Sequence, residues 1–492
     1  MNLQVLRKSA TFNTLFFLGL ALLLGGAVGL AVPRLGNPAY ILIGLLAIIG
    51  FGITIARVDI GLLLLVFLTY TRLSDIAYHY HGAPSIAKSF VVLLLIALLV
   101  RWAIFHERPE RWEKPLLLVT IYGLVGLGSM LYAAEPLLVW DSLRDYVKDA
   151  LIAVVAASLL SRGPLFRRAL WALLLAGILI GSFSVYQFLT KTFTNNYGGM
   201  AQAEYMQITV GTNDYRIAGV VGDPNFFAQI MVVLVPIALE RMLHERRLGL
   251  RVLAGVALIL STLSVLYTYS RGGFLALAAA MLLFLLLFPP HPNRVPWLIL
   301  GALVVMSFVP PSYYERILSI NLAFSAPQTQ FRSTDKAIQG RTSELLTGLA
   351  MFSDHPLFGV GLKNYAYLYP YYSKSIGLAP SASQRSAHNL YLEVLAETGA
   401  VGFTVFAFLV GITLHTIWAA RKRFIEAGLY NYAHMTSGYF VGVIAYLIAA
   451  FFVHSAFPRY FYLLIGMGLA LDAMAKATIA AYQHNGQPEG GL

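Results

Sequence analysis

The chain has no cysteine in 492 residues, which excludes disulfides and thiolate metal sites. It is also poor in charge: Asp, Glu, Lys and Arg make up 12% of it, against 58% hydrophobic residues and a mean hydropathy of +0.70. That balance excludes a soluble globule, in which about a quarter of residues are charged. Strand-like alternation of apolar and polar residues is missing, which argues against an outer-membrane barrel. The net charge of +12 comes with no visible nucleic-acid-binding module, so no nucleic-acid partner is expected. No internal repeat is visible, and low complexity is confined to the Gly-rich tail from Gly486 to Leu492.

What the chain does have is one apolar run after another, each near the roughly 20 residues that a helix needs to cross a bilayer. The sequence therefore reads as an all-α polytopic membrane protein of about 12–14 transmembrane helices, with one large periplasmic insertion containing amphipathic helices. Spans fall near 12–32, 38–56, 58–75, 88–105, 115–133, 145–161, 167–189, 225–243, 251–269, 273–289, 296–310, 389–419, 434–453 and 458–476. Arg7 and Lys8 precede the first run, but its length favours a retained anchor over a cleaved signal.

Orientation follows from basic clusters in short connections: Arg101, Arg108, Arg111 and Lys114; Arg162, Arg167 and Arg168; Arg241, Arg246, Arg247 and Arg251; Arg421, Lys422 and Arg423. All four fall on one side, expected to be cytoplasmic, where weak attraction to anionic membrane lipids is the ordinary consequence. The outer side then receives the 190–224 loop, the turn Ser270-Arg271-Gly272-Gly273 and the insertion. The expected organisation is N-terminal helices over 1–189, helices with arginine-bearing periplasmic loops over 190–310, the insertion over 311–388, C-terminal helices over 389–480, and a flexible tail over 481–492.

Four polar constellations carry the chemistry available on that outer side. Arg216 precedes Gly222-Asp223-Pro224-Asn225, in which Asp223 suits an N-cap and Pro224 a first helical turn. Helix-start chemistry explains Asp223 and Asn225 as well as ligand contact does, whereas a cap does not require Arg216. Arg271 sits in a glycine turn between two apolar runs, where a guanidinium either snorkels to water or faces a polar cavity. Two outer arginines near one cavity would make a diphosphate clamp, because the guanidinium fork matches phosphate oxygens.

The insertion adds Arg341, Lys363 and Arg385, which read as solvated loop charges or as positive potential over the same site. It also carries a helical pattern from Ser343 to Phe352, with Leu345, Leu346, Leu349 and Phe352 on one face. Such a helix lies against the bilayer surface or lids a cavity. The insertion ends in His388-Asn389, ahead of Tyr391, Glu393 and Glu397. A histidine in the first turn of a helix is held neutral by the helix dipole and can act as a general base.

Gly340-Arg341, the run Asp354-His355-Pro356-Leu357-Phe358-Gly359-Val360-Gly361, and His388-Asn389 through Gly399 to Gly402 together resemble the core of the bacterial O-antigen ligase and O-antigen polymerase superfamily. The segments Gly222 to Asn225 and Ser270 to Gly273 resemble it in the same order, so the likeness covers about residues 216–402. It implies a multi-pass inner-membrane glycosyltransferase, facing the periplasm, that takes a glycan from an undecaprenyl-diphosphate-linked donor. A ligase passes the glycan to lipid A-core; a polymerase passes it to another carrier-linked glycan acceptor.

The resemblance assigns diphosphate contact to Arg216 and Arg271 and the base role to His388. Arg341, Asn389, Asp223, Asn225 and Arg385 join Arg216 and Arg271 as expected substrate-binding residues. It further implies inversion without a metal, and no soluble cofactor is expected. Consistent with this, no Asp-x-Asp or adjacent acidic pair occurs in the outer segments. A transporter of the lipid-linked glycan is the alternative from another class, although the paired broken helices expected of one are not seen.

Overall fold

The computed structural model of the chain describes residues 57–83, 85–105, 112–160, 162–204, 215–289, 292–308, 313–314, 336–377, 384–454 and 458–485. The expected spans 12–32 and 38–56, Arg7, Lys8, Arg108, Arg111 and the Gly-rich tail lie outside the described residues. In chain order the helices are α1 (Val58–Thr71), α2 (Leu73–His81), α3 (Ile86–Phe105), α4 (Glu113–Gly128), α5 (Pro136–Leu159) and α6 (Gly163–Leu189). A hairpin of β1 (Gln202–Glu204) and β2 (Arg216–Gly219) follows, then α7 (Pro224–His244), α8 (Leu248–Tyr267), α9 (Arg271–Leu287) and α10 (Val295–Ser307). The insertion supplies α11 (Lys336–Asp354) and α12 (Asn364–Ser375), and α13 (Leu390–Glu426), α14 (Tyr430–Ala449) and α15 (Pro458–Asn485) complete the chain.

The protein is an all-α multi-pass membrane protein. Among the described residues, seven helices are long and apolar enough to cross a bilayer, or eight if α1 and α2, bent by 53°, form one span. The bend falls at Arg72, whose backbone is left-handed, so the span expected over 58–75 stops there. Helix α5 starts at Pro136, ahead of the span expected over 145–161. Its first turns carry the exposed pairs Asp141–Arg144 and Asp145–Lys148, which hid its start from hydropathy.

Helix α7 is the axis of the bundle. Its side chains are buried almost continuously from Phe226 to Arg241, and α6, α8, α9 and α14 pack around it. A continuous helix of 37 residues at α13 would be about 55 Å long, well beyond a hydrocarbon core of about 30 Å. It is broken at Gly399 (φ 63°, ψ −167°), so that Leu390–Thr398 packs on the insertion and the remainder continues as the apolar helix.

That break is half of a backbone clasp. Val360 and Gly361 N–H groups donate to the carbonyls of Ala396 and Glu397, and Ala400 and Val401 donate to Pro356 and Leu357, at 2.8–3.1 Å. Gly359 and Gly399 both have positive φ, and a Cβ on either would lie 2.4 Å from a backbone carbonyl carbon of the opposite segment. Only glycine fits both the conformation and the space. The glycines that carry the family resemblance in these two segments thus lock the insertion to α13.

Helix α11 is amphipathic, as its spacing predicts, but its apolar face does not point into the protein. Leu345, Leu346 and Leu349 are 43–45% exposed, whereas Gly340, Glu344, Thr347, Gly348 and Met351 form the buried face. The leucines form the outward side, leaving the small and polar stripe packed against the rest of the protein.

Candidate active site

Three helices that begin at one end of the bundle have capped N-termini. Asp223 accepts from the N–H groups of Asn225 (2.7 Å) and Phe226 (3.1 Å) at the start of α7. Ser270 Oγ accepts from Gly273 N–H at α9, and Asn389 Oδ1 accepts from Leu392 N–H at α13. Each cap satisfies donors that a first turn leaves unpaired. Asp223, Ser270 and Asn389 are therefore structural in the first instance, and they aim the positive ends of three helix dipoles at one region.

Arg216 ties that region together. From β2 its Nε donates to the Thr268 carbonyl at 2.8 Å, three residues before Arg271, and its terminal nitrogens reach Glu204 Oε2 (2.8 Å) and Asn225 Oδ1 (2.9 Å). The residue is only 9% exposed, and burial lowers its pKa against the opposing charges of Glu204 and Asp223. These three bonds use three of the five N–H donors of the guanidinium. Asn225, expected to touch substrate, is in this structure a partner of Arg216.

Arg271 opens α9 beside Gly272 and Gly273, where close packing explains both glycines. A Cβ on Gly272 would meet the Phe452 ring at 2.4 Å, and one on Gly273 would meet Ala228 Cβ of α7 at 2.6 Å. The guanidinium carbon of Arg341, from α11, lies 5.9 Å from the centre of the same Phe452 ring. Phe452 thus joins the insertion to the turn that carries Arg271.

His388 departs from expectation in two respects. It lies before the cap residue Asn389, outside the first turn, with left-handed backbone (φ 45°). Its pKa is raised rather than lowered, first by the hydrogen bond to Glu344, against burial and the Arg341 charge. A carboxylate 3.1 Å from Nδ1 outweighs a screened helix dipole.

Nδ1 also faces the Ser386 carbonyl at 3.1 Å. Because a carbonyl can only accept, Nδ1 carries the proton and the lone pair of the neutral ring is on Nε2. Glu344 is 1% exposed and divides its oxygens, Oε2 to His388 and Oε1 to Arg385 Nε at 3.4 Å. Arg385 crosses α11 at Gly340, where a Cβ would lie 2.9 Å from a terminal guanidinium nitrogen. In this arrangement Arg385 supports the carboxylate that holds the histidine.

A second imidazole, His454, stands beyond the end of α14. Its ring is edge-on to His388, with centroids 5.3 Å apart, and edge-on to Phe226 at 5.0 Å. This run of rings brings His388 to the start of α7, next to Asn225. On the far side of the insertion, Lys363 Nζ lies 3.2 Å from Glu393 Oε1, and Tyr365 Oη donates to the Glu344 carbonyl at 2.5 Å. The tyrosines divide accordingly: Tyr365, Tyr369 and Tyr372 are buried behind α11, while Tyr367 and Tyr371 are exposed. Among the described residues, no group of three or more His, Asp and Glu side chains is arranged to hold a metal ion.

These contacts link Arg216 to Asn225 and Arg341 to Phe452, and join Arg385 and His388 through Glu344, while Asp223, Arg271 and Asn389 stand at helix starts; sequence reasoning missed Glu344, Phe452 and His454. Glu344 is three residues from Arg341 on one face of α11, a signal passed over because the leucine face of the helix drew the attention. No local pattern marks His454.

Fold and site together define a polytopic membrane protein with a carboxylate-held histidine and several arginines at one end of its bundle. Residues 256–407 match the family model described as O-antigen ligase. The match bears out the expected O-antigen ligase superfamily and supports a ligase- or polymerase-type function in general. It takes in Arg271, Arg341, Glu344, Arg385, His388 and Asn389, and leaves Arg216, Asp223 and Asn225 upstream. No curated protein matches the chain.

Proposed function

We propose that this protein is an O-antigen ligase-type glycosyltransferase of the bacterial inner membrane. It moves a glycan from undecaprenyl diphosphate to a lipid A-core hydroxyl on the periplasmic side, with inversion and without a metal. The observation that carries this reading is the Glu344–His388 pair, joined through His454 and Phe226 to the arginine-flanked helix starts.

In the proposed reaction, Nε2 of neutral His388 takes the proton of the acceptor hydroxyl. The acceptor oxygen forms a bond to the anomeric carbon as the bond from that carbon to the diphosphate oxygen breaks, and the electron pair leaves with the diphosphate. Arg271, the remaining donors of Arg216 and the helix N-termini stabilise the charge that develops there. Glu344 keeps the imidazole in its tautomer and balances the imidazolium, the role a carboxylate plays behind a histidine base in acyl transfer.

The pairing of β1 with β2 favours a second reading, a polymerase, because it gives the connection between α6 and α7 a structured element of its own beside the insertion. Transfer by the purified protein separates the two. With undecaprenyl-diphosphate-linked glycan and EDTA present, product on lipid A-core is expected. Lengthened carrier-linked chains instead would establish the polymerase, and no transfer to either acceptor would overturn both.

A further inference from the structure

His454 is a polar group of this region to which no role has yet been given. Its ring is fixed on two sides, by His388 at 5.3 Å and 77° and by Phe226 at 5.0 Å and 79°. Its Nδ1 is buried and has no hydrogen-bond partner among the described residues. A buried imidazole nitrogen left unpaired is costly, and an aromatic hydrocarbon side chain would give the same ring contacts without that cost. Packing therefore accounts for the ring and leaves the nitrogen unexplained.

Its place is informative. One neighbour is the base, which under the proposed reaction marks the acceptor oxygen; the other is Phe226, two residues after Pro224 and adjacent to Asn225, the partner of Arg216. Under the proposed reaction, an imidazole between those two points borders the path from the diphosphate to the base, along which the transferring sugar lies. We infer that His454 is a substrate-contacting residue that hydrogen-bonds the transferring sugar of the carrier-linked glycan, between the diphosphate and the base. The inference rests on the transferase reading of the site.

The surroundings suit that task. Burial lowers the pKa of His454, with the charges of His388 and Lys363 acting in the same direction and those of Glu393 and Asp223 opposing them. The ring is thus neutral, with one nitrogen donating and one accepting, which matches sugar hydroxyls that do both. A neutral ring also places no fixed positive charge beside a carbon that becomes electron-poor as its leaving group departs.

The test compares wild type with His454→Phe, which keeps the ring contacts, His454→Asn, which restores a polar atom near Nδ1, and His388→Ala. Two quantities are read: turnover with lipid A-core, and equilibrium binding of undecaprenyl diphosphate with and without its glycan. His454→Phe should bind the glycan-bearing carrier roughly tenfold more weakly, bind the bare carrier like wild type, and turn over more slowly, with His454→Asn recovering part of each loss. Unchanged binding of the glycan-bearing carrier by His454→Phe, or equal weakening of both carriers, would overturn the inference. If His454→Phe fails to fold, His454→Asn decides alone: a smaller loss of the same kind, confined to the glycan-bearing carrier, supports the contact, and unchanged binding or an equal loss on both carriers overturns it. A glycan-specific binding loss in a protein that transfers to no acceptor would sink the transferase reading and leave the contact standing.

Discussion

Carboxylate–cation chemistry lies at both ends of helix α7, on the helix itself at one end and on the insertion at the other, and the two ends use it differently. At its C-terminal end Glu240 and Arg241 are fully buried, and Glu240 gives both oxygens to the one guanidinium at 2.6 Å each. Glu245 adds Arg241 at 3.5 Å and Arg167 at 2.6 Å, so two carboxylates meet two guanidiniums. At the N-terminal end the corresponding carboxylate, Glu344 of α11, divides its oxygens between Arg385 and His388. Glu240 also faces His244 Nδ1 at 3.4 Å, but both its oxygens are taken by the guanidinium beside it, whereas Glu344 keeps one oxygen for the ring of His388 alone. Buried charge at the first end is architecture, and at the second it is preparation.

The comparison is tested most severely by His388→Ala, which should lower transfer by about 10²–10⁴-fold while leaving the thermal unfolding of the detergent-solubilised protein close to wild type. Activity within a few fold of wild type would remove the base from the site. At the opposite end the pattern should invert: Glu240→Ala leaves buried Arg241 with Glu245 at 3.5 Å and Asn431 at 3.3 Å and should cost about 3–5 kcal/mol of stability. The protein that still folds should keep its turnover per molecule, and normal stability would show that the closed pair contributes little.

A smaller change should sharpen the contrast. In the wild type, Glu344 raises the pKa of His388, so activity should fall on acidification through a value above the ordinary imidazole value of about 6.5. Glu344→Gln removes the charge that holds the proton on the ring, so that limb of the pH profile should move to lower pH. Plateau turnover should drop about tenfold as orientation is lost. A limb that stays in place would mean that another group sets it.

Most of the architecture was legible in the chain because hydropathy reports lipid contact directly, and the departures have physical causes. Charged pairs in the first turns of α5 masked its start at Pro136. The long α13 looked like one span because a glycine in an apolar run does not declare its φ. Arg216, Arg271, His388 and the caps Asp223 and Asn389 stood out because charge or capping chemistry is unusual at the edge of an apolar run.

Glu344 did not stand out, because attention fell on the leucine face of the helix and a single acidic residue on its opposite face carries no motif of its own. His454 was obscured for a different reason. Its neighbours Phe226 and His388 are remote in sequence, and only the fold brings three separate segments to one ring.

The Gly359–Gly399 clasp has a bearing on tolerance in the machinist's sense. Two backbones in direct contact leave no side chain between them to flex, so the join has no compliant spacer. Glu344 lies upstream of one half and His388 upstream of the other, and the fit of acid to base is referenced to that bare joint. A methyl group added at either glycine would act as a shim, felt where proton and ring must meet.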